Sequence, residues 1–486
     1  MESHGGITAL NMLIGGALVP AAEGASYPTH APATGELLAE VPAATATDVQ
    51  RAVDAARRTQ PDWGRTPPGE RAAALREMAA TLRAHREELG QLDARDCGNP
   101  VTAMTGDVDL AAELLEAFAN IADRIGGETM PGDASHLHYT LREPYGIVAR
   151  IVPYNHPIMF AASRIAAPLA AGNAVLLKAP DQAPLSALRM GELFAGLLPP
   201  GILAVLTGRG TVAGAALVAH PAIRRVAFTG SVATGKAVLH GAASAGIKQV
   251  TLELGGKNPM LVLPDADVEL AGAGAVTGMN FHWTGGQSCG STSRLLVHRS
   301  IADDVVDRVV AGARAVRVGD PLDPATEMGT MVSPEHRDRV LGYIARGKAD
   351  GLKLACGGGA PDLPGAFVAP TVFVDVPPDS ALFREEIFGP VLVVTPYDSE
   401  EEAVALANDS PLGLTASVWT RDLARAHLLA RAIEAGYVWV NMASRHFTGL
   451  PFGGVKDSGL GREESAEELL SYTQPKAVTV YLGGAS

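Results

Sequence analysis

From Gly146 onward the chain alternates between short β-branched runs and alanine-rich stretches. The runs Ile147–Val152, Ala174–Leu177, Leu203–Leu206, Arg225–Phe228 and Gln249–Leu252 read as strands, and 157–171, 184–198, 211–219 and 232–243 read as the helices between them. Strands that alternate with helices predict a parallel, doubly wound sheet whose ligand sites lie at the strand carboxyl ends. A second α/β alternation spans about Pro259 to Arg431 and opens with Met260–Leu263. Ahead of both, Asp48 is placed to cap a helix carrying Val49, Ala52, Val53 and Ala56. Leu75, Met78, Leu82, Leu89 and Leu92 fall on one face of a further helix. The segment 125–145 reads as a hairpin, and Ala477–Leu482 alternates like an edge strand.

Composition narrows the picture. The 486 residues predict two to four domains with ample core, and 47% hydrophobic with 19% charged residues is a globular profile. A formal charge of −14 argues against a nucleic-acid partner, because phosphate binding needs clustered Lys and Arg. No run reaches the roughly 18 apolar residues of a membrane helix. Leu10–Ala22 is apolar like a signal-peptide core, but no basic segment precedes it and Gly15-Gly16 breaks it as a hairpin turn would. It reads as an early strand pair in a cytoplasmic protein. Three cysteines, Cys97, Cys289 and Cys356, build no disulfide framework, and no Cys/His cluster has the spacing of a metal site.

Candidate chemistry centres on Cys289 in Gly286-Gln287-Ser288-Cys289-Gly290, downstream of Glu253-Leu254-Gly255-Gly256-Lys257. Most cysteines are inert and buried, a reading that suits Cys97 and Cys356. Glycines around Cys289 instead let backbone and ligand approach closely. Glu253 is either a surface ion-pair partner of Lys257 or a general base, for which burial should raise its pKa toward neutrality. Asn155, in Val152-Pro153-Tyr154-Asn155-His156-Pro157, is otherwise a turn former beside proline.

Together these motifs resemble the aldehyde dehydrogenase superfamily, over about Ile14 to Val480. The resemblance implies two doubly wound α/β domains plus a small β oligomerisation domain. Residues 1–124 and 146–255 would form the dinucleotide-binding domain, 256–445 the catalytic domain, 125–145 and 470–486 the oligomerisation hairpin and tail, and 446–469 a return to the active-site region. It implies Cys289 as nucleophile, Glu253 as the base that activates the deacylating water, and Asn155 as oxyanion donor. It also implies an NAD site. Lys178 and Asp181 of Lys178-Ala179-Pro180-Asp181 would take the adenosine ribose, Gly210 and Gly214 belong to the next loop, and Gly230-Ser231 after Phe228-Thr229 would meet the pyrophosphate. Glu386 and Phe388 of Glu386-Ile387-Phe388-Gly389-Pro390-Val391 would hold the nicotinamide end, and Ile151, Pro153, Tyr154 and Leu254 complete the set. The run Pro451–Lys456 with Ser458–Glu463 is close to a further signature. Glu463 there is either a second carboxylate directed toward the water path or a helix N-terminal acid.

Three departures from the family pattern stand out. Asp181 replaces the more usual Glu, Thr284-Gly285 replaces an amide-containing pair, and His156, His282 and His446 occupy tunnel positions that are often aromatic or aliphatic. Trp283 and Phe160 add aromatic surface suited to an aryl aldehyde, or to an amino- or trimethylammonio-aldehyde. Acidic Asp181 favours NAD over NADP. The carboxylate at Glu253 speaks against a CoA-acylating enzyme. Retention of Cys289, Glu253 and Asn155 speaks against a non-catalytic binding or structural protein with the same fold. A homodimer or homotetramer is expected, because an isolated hairpin is marginal and an exposed edge strand invites pairing.

Overall fold

The computed structural model describes residues 10–483, so the ends of the expected first and last segments, 1–9 and 484–486, lie outside it. An eight-stranded sheet has five parallel strands at its centre, in the spatial order Leu203–Leu206, Ala174–Lys178, Ile147–Ile151, Ile223–Thr229, Gln249–Glu253. The chain starts in the middle, winds to one side, then crosses back and winds to the other. The switch falls between Ile147–Ile151 and Ile223–Thr229, so the strand-following loops at Asn155 and Thr229-Gly230 flank the crevice where such sheets bind ligands. The apolar segment near the start of the chain is the pair Met12–Ile14 and Ala17–Val19, turned at Gly15-Gly16 with positive φ, and it extends this sheet antiparallel to Leu203–Leu206.

A second, seven-stranded sheet follows in the order Lys353–Cys356, Thr371–Val374, Val391–Tyr397, Arg294–His298, Pro259–Val262, Thr415–Trp419, Tyr437–Val440. Only its first edge pair is antiparallel. Apolar cores pack on both of its faces, one around Phe373, Phe383 and Leu429, the other around Phe281, Val309 and Leu295. The third unit is a three-stranded antiparallel sheet, Thr129–Asp133, His136–Pro144 and Thr473–Tyr481. The hairpin and tail of the sequence reading therefore pair with each other, and each outer strand of this sheet has one free edge among the described residues. No helix of the described residues is long and apolar enough to cross a membrane.

Several local expectations need correction. Asp48 is not the cap of the first helix. Thr45 is, and Asp48 closes the capping box from the third helical position of Ala46–Arg65. The leucine-striped helix is two helices, Pro68–Ala84 and Arg86–Cys97, divided at His85. The seven-residue step from Leu82 to Leu89 keeps both on one face, so periodicity could not reveal the break. Likewise 157–171 splits into Pro157–Ser163 and Ala166–Ala170, with Arg164 at the junction sending its side chain into a buried acid cluster. The hairpin Ser26–His30 with Leu37–Pro42 was not foreseen.

Buried Asp48 accepts hydrogen bonds from the N–H of Ala22 (2.9 Å) and of Thr45 (3.1 Å), tying the first helix to the preceding loop. Asp48→Ala should cost about 1–3 kcal/mol by leaving those donors without a partner, read as a lower thermal unfolding midpoint than wild type.

Candidate active site

Glu253 ends the parallel strand Gln249–Glu253, and the chain then passes directly into Pro259–Val262 of the second sheet. The short link carries Gly255, Gly256 and Asn258, and each has a steric or bonding reason to be what it is. A Cβ on Gly255 would lie 2.0 Å from a carboxyl oxygen of Glu386, and one on Gly256 would lie 2.6 Å from the Cys289 carbonyl oxygen. Asn258 Nδ2 donates to the carbonyls of Cys289 (2.7 Å) and Ser291 (2.9 Å), and its Oδ1 accepts from the Thr415 N–H. Gln287 anchors the other side of the Cys289 loop by donating to Thr284 and Thr330 carbonyls and accepting from Val332 N–H. The thiol is thereby fixed by two side-chain amides.

Two cavities meet at Cys289. One, of about 570 Å³, is lined by Asn155, His156, Phe160, Glu253, Trp283, Trp439, His446 and Phe452 among others. The second, of about 190 Å³, is lined by Pro153, Tyr154, Gly230, Ser231, Leu254, His336, Glu386 and Phe388. Asn155, Phe160, Thr229, Glu253 and Cys289 border both. Asn155 is held by the side chain of Asn99, whose Nδ2 donates to the Asn155 carbonyl at 2.8 Å.

Neither carboxyl oxygen of buried Glu253 has a hydrogen-bond partner among the described residues. Burial raises its pKa well above the usual carboxylate range, and the nearby Glu463 raises it further. The alternative of a surface ion pair with Lys257 is excluded. Lys257 is itself buried with an unpartnered Nζ, and burial with the neighbouring Arg294 brings it down to about 7. Cys289 is pushed up to about 12 by burial, by Glu386 and by Glu253.

Glu463 does not cap a helix. It sits on an isolated bridge to Phe452 behind Glu253, with Arg150 Nη1 at 2.8 Å and Arg164 Nε at 3.1 Å. Burial pushes against its ionisation, but the two arginines hold its pKa below the ordinary value. Glu464 pairs with Arg164 (3.0 Å) and His446 (3.0 Å); burial opposes its charge, and these two neighbours hold it at about 2. Sequence reasoning missed Arg150 and Arg164. A signal was present for the first, since an arginine inside the apolar strand Ile147–Ile151 requires a buried partner. Asn258, Asn99 and His336 carried no comparable signal.

Of the remaining cofactor candidates, Lys178, Asp181 and Gly210 form a group that borders neither cavity. Lys178 Nζ is paired with Asp181, and Asp181 Oδ2 accepts from the Gly210 N–H at 2.9 Å. Burial lowers Lys178 while Asp181 opposes the shift. Ser231 caps the helix Val232–Ala245 by accepting from Thr234 N–H, next to Gly230, where a Cβ would strike the Phe228 ring at 2.5 Å. Glu386 accepts from Gly256 N–H (2.9 Å) and is raised by burial. Tyr154, His336 and Phe388 pack edge to face, with centroids 6.1–6.3 Å apart. Ile151 and Gly214 are buried but border neither cavity.

A family model for the aldehyde dehydrogenase family matches residues 19–478. The chain belongs to that family. Aldehyde dehydrogenase tropH of Talaromyces stipitatus is 46% identical over 94% of this chain and 90% of its own length. Putative aldehyde dehydrogenase DhaS of Bacillus subtilis is 42% identical over 97% and 95%. Among solved structures, an aldehyde dehydrogenase of Bacillus cereus in its NAD+ complex superposes with a TM-score of 0.95 at 41% identity, covering 98% of this chain and 97% of that one.

A thiol held as high as Cys289 is almost wholly protonated at neutral pH in the ligand-free protein. Alkylation of Cys289 by iodoacetamide, followed by peptide mapping, should therefore rise about tenfold per pH unit from pH 7 to 9 without a plateau.

Proposed function

We propose that the protein oxidises an aldehyde to the carboxylic acid with NAD, through a thioester on Cys289. One observation carries this reading: two cavities meet at a single thiol, with a carboxyl group and a carboxamide on the wall they share. The larger cavity takes the aldehyde and the smaller one the nicotinamide end of the cofactor. The residues fit that cofactor. Glu386 and Phe388 would hold the nicotinamide ribose and ring, Gly230 and Ser231 at a helix N-terminus the pyrophosphate, and Lys178 and Asp181 the adenosine ribose. Bound NAD supplies the hydride acceptor.

The chain's own residues do the rest. Cys289 gives up its proton and its sulfur adds to the carbonyl carbon, while the Asn155 amide and the Cys289 N–H receive the developing oxyanion. Glu253, with two unpartnered oxygens, accepts that proton. Loss of hydride from the adduct leaves the acyl group on sulfur. Glu253 releases that proton to solvent and then takes one from water, whose oxygen attacks the thioester carbon and expels Cys289 as thiolate, which recovers its proton from Glu253. Water rather than CoA is the acyl acceptor because a buried, unpartnered acid borders both cavities that meet at the thiol. The first sheet with the N-terminal helices serves as the dinucleotide-binding domain, and the second as the catalytic domain. The free edges of the three-stranded sheet support self-association as a homodimer or homotetramer. The aromatic walls suit an aryl aldehyde or an amino- or ammonio-aldehyde.

In steady-state assays over an aldehyde panel, Cys289→Ala should abolish acid and NADH formation, and unchanged rates would refute the mechanism. Asn155→Ala should lower kcat by about 10²–10³, the loss of one oxyanion donor. Asp181 sets the cofactor preference. Its carboxylate repels a 2′-phosphate by about 1 kcal/mol at 4 Å in water. The kcat/KM ratio of NAD to NADP should exceed one, and Asp181→Ala should lower it about fivefold. An unchanged ratio in the variant clears Asp181 of the role.

A further inference from the structure

The larger cavity contains a pair of side chains that the reaction does not require. His156 follows Asn155, and its Nδ1 lies 2.7 Å from Oδ2 of Asp107, a fully buried residue on the helix Val101–Asn120. Among the described residues Asp107 Oδ1 has no hydrogen-bond partner, so His156 is the carboxyl group's one hydrogen-bonding neighbour there. This contact fixes the ring's orientation. The imidazole stands edge-on to Trp283 (centroids 4.9 Å, planes at 80°) and to Phe160 (5.8 Å, 77°), and it borders the cavity. Nε2 makes no hydrogen bond within the described residues. A phenyl ring would fill this place without burying an acid beside an imidazole, an arrangement that costs desolvation unless something polar is recognised.

The rest of the wall defines the shape of what enters. Trp283, Phe160, Trp439 and Phe452 border the cavity, and His446 stacks on Phe452 at 4.2 Å with its Nδ1 tied to Glu464. These faces suit a flat aromatic ring. A ring hydroxyl complements Nε2 whether or not that nitrogen holds a proton, because a hydroxyl both donates and accepts. A quaternary ammonium group has no N–H for Nε2. Of the acids that border the cavity, Glu463 and Glu464 are already matched by arginines and His446, so neither of these two offers an unpaired charge to a cation.

We propose that the substrate is an aryl aldehyde carrying a ring hydroxyl, bound through Nε2 of His156, with Asp107 as the residue that positions the imidazole. This rests on the aldehyde oxidation proposed above. The test measures kcat/KM at pH 7 with NAD for benzaldehyde, the three hydroxybenzaldehydes, their methoxy counterparts and a trimethylammonio-aldehyde. In wild type, at least one hydroxy isomer should exceed both benzaldehyde and its methoxy counterpart by about tenfold or more, the size of one well-placed hydrogen bond. In His156→Phe that ratio should fall to within about threefold of one, chiefly through KM, and Asp107→Ala should lower the same ratio. The proposal is overturned if wild type does not discriminate hydroxyl from methoxy or hydrogen, if the ammonio-aldehyde is preferred, or if His156→Phe keeps the ratio. The wild-type comparison decides even where a variant fails to fold. Equal oxidation of every aldehyde sinks the hydroxyl assignment and leaves the reaction standing, whereas absence of NADH with all of them sinks both.

Discussion

The link from Glu253 to Asn258 is the constraint on which the site depends. It joins the last parallel strand of one sheet to the first strand of the other, so the carboxyl group of Glu253 is placed by the first sheet and the carbonyl of Cys289 is held from the second by Asn258. Side chains are excluded at Gly255 and Gly256 because Glu386 and the Cys289 backbone already occupy that space. Close packing makes this placement stiff: the link couples the positions of Glu253 and Cys289 across the two sheets.

Electrostatics behind the site depends on the same compaction. Glu253, Glu463, Glu464 and Glu468 are buried within one region with Arg150 and Arg164. Charge is distributed unevenly among them. Burial raises Glu468 to about 7 and Glu253 well above the usual range, whereas the arginines and His446 keep Glu463 and Glu464 ionised. Neighbouring acids in one buried region are thus shifted in opposite directions, according to whether a positively charged partner meets them. Arg164, whose side chain reaches this cluster, stands at the junction of two short helices that a continuous apolar pattern joins.

Much of the fold was legible because local rules and tertiary packing agree there. The five central strands of the first sheet lie where β-branched runs place them, to within two residues at either end. The early strand pair was marked by a double glycine, and the hairpin and tail by their turn formers and alternation. The failures have a common cause. The break at His85 preserves the apolar face, and the cap at Thr45 differs from Asp48 only in which oxygen meets which N–H. Periodicity responds to which face is buried, and neither event changes the face.

The sequence by itself determined the order of strands and helices, the glycine positions that admit close backbone contact, and the residue types available to a thiol-and-carboxyl site. Those follow from short-range sterics and hydrophobic period, which act within a few residues. Tertiary structure alone decided that Glu253 has no ion-pair partner, that Glu463 faces two arginines rather than a helix terminus, and that His156 meets Asp107 across the cavity wall. Each of these pairs residues from distant segments, and the energy of a charge depends on burial and neighbours that exist only once the chain has folded.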